Sequence, residues 1–381
     1  MPSPVWRSVV ASRCPTGPSS SMQGDFRLFI TVARRRDDRE NSSERTAMNT
    51  HFPDTETIHA ALALAMRAPS IHNSQPWQWR VGERSVHLYA DLDRHLTSTD
   101  PDSRDLLLSC GAALHHCVIA FAALGWYASV HRLPNPAEPE HLASIELRRQ
   151  TPTDLDIALA AAIPRRRTDR RHYSAWPVSH SDIAMMGARA ARAGVMLRRV
   201  ESLSRLQDIV AESIARHAAD DGYLRELTAW SGKYASTAGV PARSAPKPEP
   251  GAPLSSRMFA GAALKQPDTG AGADEGAVVL ALGTADDTRM SRLRAGEATS
   301  LILLTATAMG LATCPVTEPL EISETRDAVQ AEVFGASAFP QMMLRVGWAP
   351  VNADPLPPTP RRHVADAVRW LDGSPFEPES E

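Results

Sequence analysis

The chain has 381 residues, 43% of them hydrophobic and 22% charged, with a net charge of −3. These are the values of a soluble globular protein of one large domain or two, and they exclude a globally basic nucleic-acid binder. Four cysteines (Cys14, Cys110, Cys117 and Cys314), none in CxxC spacing, exclude a disulfide-framed secreted scaffold and a zinc ribbon. The expectation is a reduced, cytoplasmic protein with no metal site, no nucleic-acid partner and no membrane span.

Residues 1–47 differ in composition from the rest. Eight Arg against five acids make this stretch positive by three, leaving the remainder negative by six. It lacks an apolar core followed by a small-residue cleavage site, so it is not a secretory signal. It reads as a disordered tail or as translation assigned upstream of a start at Met48.

From Met48 the pattern alternates helix and strand. Asp54 caps a helix over Thr55–Arg67, with Ile58, Leu62, Ala65 and Met66 on one face. Strands follow at Trp77–Val81 and Ser85–Ala90, then a long buried helix over Asp102–Gly125 that ends at a glycine. The apolar run Leu106–Leu124 within it carries Ser109, His115 and His116, which favours a buried core helix over a membrane span. Strands are predicted near Tyr127–Leu133 and Ala143–Arg148. In the second half, helices at His180–Gly194 and Ser202–Ala219 flank a strand at Val195–Val200. A strand at Gly276–Gly283, a long helix at Ser291–Gly310 and a strand at Gln341–Trp348 complete the pattern.

The two long helices share Gly-x-Ala-x11-Gly: Gly111, Ala113 and Gly125 in the first, Gly296, Ala298 and Gly310 in the second. Each pair is 185 residues apart. Either small residues recur by chance in an alanine-rich chain, or the chain is duplicated and its halves pack as two subunits would. The predicted halves are residues 48–160 and 161–370. Residues 231–275, with six prolines and no periodicity, interrupt the second as a lid or a linker; Leu254, Met258 and Phe259 give them something to pack.

Four segments carry candidate chemistry. Arg67-Ala-Pro-Ser-Ile-His-Asn-Ser-Gln-Pro-Trp-Gln-Trp-Arg80 presents Ser70, Asn73 and Gln75 between a helix and a strand. Their donors and acceptors suit a heterocycle, though Pro, Ser and Asn are also ordinary turn residues. Ile163-Pro-Arg-Arg-Arg-Thr-Asp-Arg-Arg-His-Tyr173 packs five Arg into seven residues. That is either a solvated charge run or, since guanidinium forks match phosphate oxygens, an anion site; a nucleic-acid patch lacks its aromatic platform. Pro357-Pro-Thr-Pro-Arg-Arg362 delivers two more Arg on a rigid extended segment. Gly310–Glu318 follows the second long helix. Its Cys314 has no histidine beside it and reads as structural rather than nucleophilic. His115 and His116 diverge by about 100° on a helix, which suits core or interface histidines better than metal ligands.

Together these segments resemble the nitroreductase family over roughly residues 55–368. Pro-Ser-Ile-His-Asn-Ser-Gln-Pro-Trp is similar to its flavin-contacting loop, and Arg167-Thr-Asp-Arg-Arg-His-Tyr173 to its Arg-x-Ser-x-Arg-x-Phe phosphate stretch. Gly310–Glu318 resembles the segment beneath the flavin ring, and Pro360-Arg361-Arg362 the C-terminal phosphate clamp. The loop preceding the Arg stretch, together with the insertion, resembles the Acg-type members. The resemblance implies an α+β nitroreductase-like fold of two pseudo-repeats that mimic the family homodimer within one monomeric chain. It also implies one FMN, with NAD(P)H as reductant and a nitro- or quinone-type small molecule as acceptor.

By position, Ser70, Asn73 and Gln75 would meet the flavin ring and ribityl chain. Arg167, Arg171 and Arg361 would meet the phosphate, and Glu318 would lie near the ring's redox edge through its backbone. No side chain is assigned a catalytic role, because flavin carries the chemistry. Asp169 stands where the family has Ser, and Thr359 stands where a basic residue is frequent. A flavin-binding or sequestering protein whose lid blocks turnover is the alternative.

Overall fold

The computed structural model describes residues 52–232, 236–247, 257–266, 276–350 and 353–376. The expectations for residues 1–47 and for Leu254 lie outside them. Helix α1 (Thr55–Ala65) starts at Asp54, whose carboxylate accepts from the Thr57 N–H at 2.8 Å. Strands β1 (Trp77–Val81) and β2 (Ser85–Ala90) pair antiparallel. Helix α2 (Arg104–Ala123) is buried almost throughout and stops at Gly125, which takes φ 79° as a left-handed cap. It is the one described helix long and apolar enough to cross a membrane, and its apolar faces are covered by protein. Strands β3 (Trp126–Arg132) and β4 (His141–Arg149) follow. Helix α3 (Asp154–Ala162) went unpredicted, although Thr153 and Asp156 form a capping box that marks its start.

Helix α4 (His180–Arg192), strand β5 (Met196–Arg199), α5 (Leu203–Ala218) and α6 (Asp221–Ala229) open the second half. Strand β6 (Val278–Thr284), helix α7 (Arg289–Ala308) and β7 (Ala312–Pro315) come next. Two short helices, α8 (Glu318–Glu321) and α9 (Ser323–Val329), lead to β8 (Phe339–Gly347). Helix α10 (Val364–Ala367) and strand β9 (Val368–Trp370) end the fold.

The sheets run β3-β4-β2-β1-β9 and β5-β6-β8-β7. Apart from β9, the second reads in reverse as β7-β8-β6-β5, the same succession of antiparallel neighbours as in the first. The chain is therefore an α+β fold of two pseudo-repeats. One boundary needs correction, because β9 was placed with the second half and instead adds parallel to β1, with Trp79 opposite Val368 and Val81 opposite Trp370. Phe376 then packs edge-on against Trp370. Closing the open edge of β1, which carries the buried Trp77 and Trp79, is the gain that draws the C-terminus across.

Helices α2 and α7 cross where neither has a side chain. A Cβ on Gly111 would fall 2.1 Å from the Leu293 carbonyl oxygen, and one on Gly296 would fall 2.2 Å from that of Leu108. Leu108 and Leu293 are themselves 185 apart, so the contact is reciprocal, as across a two-fold axis. Leu293 packs into the core of the first half and Leu108 into that of the second. His115 and His116 both place Nδ1 within 2.9 Å of Ser300 Oγ, so they are the interface histidines expected from their spacing.

This crossing yields a stability prediction. Gly111→Ala and Gly296→Ala each force backbone apart and should cost at least about 1–3 kcal/mol. Gly187, inside α4 with nothing within 4 Å of its added Cβ, is the control. Gly187→Ala should gain about 0.5–1 kcal/mol. Denaturant midpoints check all three, and a neutral Gly111→Ala would contradict the close crossing.

Candidate functional site

The loop after α1 is held in an unusual backbone shape. His72, Asn73 and Gln75 take positive φ values of 44°, 55° and 53°. Such values cost a non-glycine residue about 1 kcal/mol or more and persist only where surrounding contacts fix them. Ser70 Oγ accepts from the Gln75 N–H at 2.9 Å, and Ser109 Oγ accepts from the Ile71 N–H at 3.1 Å. Asn73 Nδ2 donates to the carbonyls of Gly239 and Pro360, both at 3.1 Å. Gln75 Nε2 donates to Thr237 O at 2.8 Å, while its Oε1 accepts from the Arg362 N–H at 2.9 Å.

The loop borders a cavity of about 140 Å³ between the two halves. Leu108, Ser109 and Ala112 of α2 face Thr299 and Leu303 of α7 across it, and Cys314–Glu318 run along one side. Of the three loop residues expected to face a ring, only Ser70 lines this space. Asn73 and Gln75 are buried and turned to distant backbone, which the loop's own sequence could not foretell. Glu318 lines the cavity, with Oε1 3.4 Å from His217 Nδ1. Burial pushes the Cys314 thiol up, which agrees with a structural cysteine.

Next along the chain from Thr168 and Arg170, which line the cavity, lies a knot of guanidinium groups. Arg166 is buried and its ionisation is held down to about 9 by burial and by Arg167, Arg67 and Arg170. Burial and Arg67 hold Arg167 at about 10. Burial, Arg166, Arg67 and Arg167 push Arg361 well below its ordinary range. The charges acting on Arg166 and Arg361 are all guanidinium. Arg361 Nη2 donates to the carbonyls of Arg67 and Ala68 at 3.2 and 3.1 Å, and Arg167 Nη1 to those of Pro164 and Arg166 at 2.8 and 2.9 Å. Arg166 Nε and Nη1 and Arg361 Nε have no hydrogen-bond partner among the described residues. Buried N–H groups are rarely left so. Like charges this close, with N–H donors left unpartnered among the described residues, repel one another in a buried setting.

Arg171 is not part of that knot. Its Nε and Nη2 clasp Asp169 at 3.0 and 2.9 Å, and its Nη1 donates to Asp354 O at 2.7 Å. Arg171, expected at the phosphate, is here held by Asp169 and Asp354. The acid at position 169 neutralises it.

The far wall is acidic. Asp105 lines the cavity, and Glu321 is buried behind Glu318. Arg257, from the proline-rich segment, reaches in to pair with Glu321 and places Nη1 2.5 Å from His72 Nε2. Burial and then Arg257 hold His72 well below the usual imidazole range, so it accepts from Arg257 as a neutral ring. Phe259 of the same segment is buried, lines the cavity and meets the His72 ring edge-on, whereas Met258 is 53% exposed.

Arg67, Arg166, Arg170 and His72 lay inside segments singled out from the sequence but were not themselves chosen. Asp105, Arg257, Thr299 and Glu321 carried no motif, and only the fold brings them here.

The fold and site define an α+β protein with a cavity between two halves of like topology. The chain belongs to the nitroreductase family: the Nitroreductase family model matches residues 163–348. A Mycobacterium tuberculosis H37Rv protein provisionally named NAD(P)H nitroreductase is 63% identical over 85% of this chain and 94% of its own. The same organism's provisional NAD(P)H nitroreductase acg is 38% identical over 81% of this chain and 94% of its own. Among solved structures, an FMN-dependent nitroreductase from Mycobacterium smegmatis in complex with NADPH aligns over 57% of this chain and 99% of its own, with 19% identity and a TM-score of 0.35.

An anion should relieve the guanidinium repulsion. At equal ionic strength, phosphate should raise the melting temperature above that in chloride by roughly 1–4 °C. Arg166→Ala and Arg361→Ala should each abolish most of the difference. An equal response in wild type and both variants would show that the cluster takes no anion.

Proposed function

We propose that the chain binds one FMN in the cavity between its halves and uses it to pass reducing equivalents from NAD(P)H to a nitro- or quinone-type acceptor. The observation that carries this is the buried set of unspent guanidinium N–H groups beside a cavity built from both halves. A phosphate monoester is the flavin group whose charge and acceptors suit it. Arg166, Arg167 and Arg361, with Arg67 beside them, would hold the phosphate. Ser70, Thr299 and the Cys314–Glu318 stretch would border the ring. FMN supplies hydride exchange when bound; the chain supplies the phosphate grip, the walls and the exclusion of water.

The halves contribute unequally, which supports the expectation of one site per chain on a monomer that mimics a dimer. The loop and Asp105 come from the first half, and the Arg stretch from the second. FMN should therefore saturate at one per chain, measured by absorbance together with sedimentation. Arg167→Ala and Arg361→Ala should each weaken FMN by about 10- to 150-fold, as expected for the loss of roughly 1.5–3 kcal/mol per charged contact. Riboflavin should be insensitive to both. Equal losses for FMN and riboflavin would move these residues from phosphate binding to folding.

A second reading has its own observation. Arg257 and Phe259 stand in the wall of a cavity smaller than the roughly 300 Å³ of ordinary ligand pockets. A segment so placed supports flavin sequestration, with access for nicotinamide limited by its movement. Anaerobic stopped-flow reduction by NADH and NADPH separates the readings. Oxidoreductase function predicts bleaching in wild type, and Phe259→Ala should speed it if the segment is limiting. No reduction in wild type or variant would leave the sequestering protein.

A further inference from the structure

We propose that Asp105 is the proton donor to the bound acceptor, a role that rests on the oxidoreductase reading above. Its side chain lines the cavity and is 7% exposed. Neither carboxyl oxygen has a hydrogen-bond partner among the described residues; its recorded bonds are those of its backbone, N–H to Asp100 Oδ1 and carbonyl from Ser109 Oγ. A buried carboxyl facing a cavity with no bond of its own is rare in a finished core.

The surroundings keep the proton on it. Asp105 stands in the first turn of α2, where helix N–H groups ordinarily favour an anion. Here Asp100 takes those donors, accepting from Asp105 and Leu106 at 3.0 and 2.8 Å. Burial raises Asp105 well above the usual carboxylate range, Asp100 and Glu321 add to the rise, and Arg104 and Arg257 oppose it. Part of the Asp100 charge is answered by His95, with Nε2 3.6 Å from Oδ2. Arg104 is turned away to Asp287 and Gln341, and Arg257 is engaged by Glu321. Asp105 is left as a neutral acid beside the reaction space.

The chemistry balances for a quinone. Hydride uptake brings two electrons and one proton, forming the first O–H bond. Cleavage of the Asp105 O–H bond gives the second proton to the other oxygen and yields hydroquinone. Water then reprotonates the carboxylate. The reducing equivalents come from NAD(P)H or, in a test, from dithionite.

The experiment uses the full chain and Asp105→Asn, which keeps the shape and removes the proton. Infrared spectra at pH 7 should show a protonated-carboxyl band in wild type that is missing from the variant. Because the amide needs no proton to be buried, the variant should melt no lower than wild type at pH 7. Dithionite-reduced protein mixed with benzoquinone should react about 10²- to 10⁴-fold more slowly in the variant. The wild-type rate should fall as pH rises through the Asp105 ionisation, and that dependence should vanish in Asp105→Asn. No carboxyl band difference, or equal quinone rates in the two proteins, zero included, overturns the assignment. Failure of NAD(P)H to reduce wild type would strike the oxidoreductase reading alone, since dithionite bypasses that step.

Discussion

The approach of α2 to α7 at Gly111 and Gly296 sets the relation between the two halves, and with it the cavity. Added Cβ atoms there would meet backbone oxygen near 2 Å, so the axes approach as closely as two helices can. Ala112, next to Gly111, and Thr299 and Leu303, about one and two turns beyond Gly296, line the cavity. Its width therefore follows from the crossing. Arg104 on Asp287 and Arg132 on Glu297, paired at 2.6 Å in each case, tie the helix ends and flanks to the opposite half. These pairs orient the halves, but glycine at the crossing is what permits the approach.

What the sequence disclosed follows from how local each signal is. Trp77–Val81 and Ser85–Ala90 have the predicted bounds, because alternation and the intervening turn are written into neighbouring residues. Strands Ala312–Pro315 and Val368–Trp370 are too short to carry a period, and they exist because a partner strand completes their hydrogen bonds. The site divides along the same line. Arg167, Arg361, Ser70 and Glu318 could be read from motifs and sit at or beside the cavity. Asn73, Gln75 and Arg171 could be named but not placed, since residues 237–239, 354 and 360–362 claim them from far along the chain. Asp169 was the visible hint for Arg171, because an acid two residues before an arginine in an extended turn is a ready partner.

Two groups of charge lie about the cavity. On one flank Arg166 and Arg361 are under mutual repulsion. On the other Asp105, Glu318 and Glu321 are buried, and Arg257 and Arg170 reach in among them. In low dielectric each flank amplifies its own sign. Asp105 shows the effect, since burial, Asp100 and Glu321 raise it well above the usual carboxylate range.

That polarity also governs the proline-rich segment. Arg257 pairs with the buried Glu321, whose Oε2 stands 3.8 Å from His217 Nε2 and has no hydrogen-bond partner among the described residues. Withdrawing Arg257 strips a buried carboxylate of its counter-charge, a loss of about 3–5 kcal/mol when nothing replaces it. The burial of Phe259 against His72 adds an apolar contribution of the order of 2 kcal/mol.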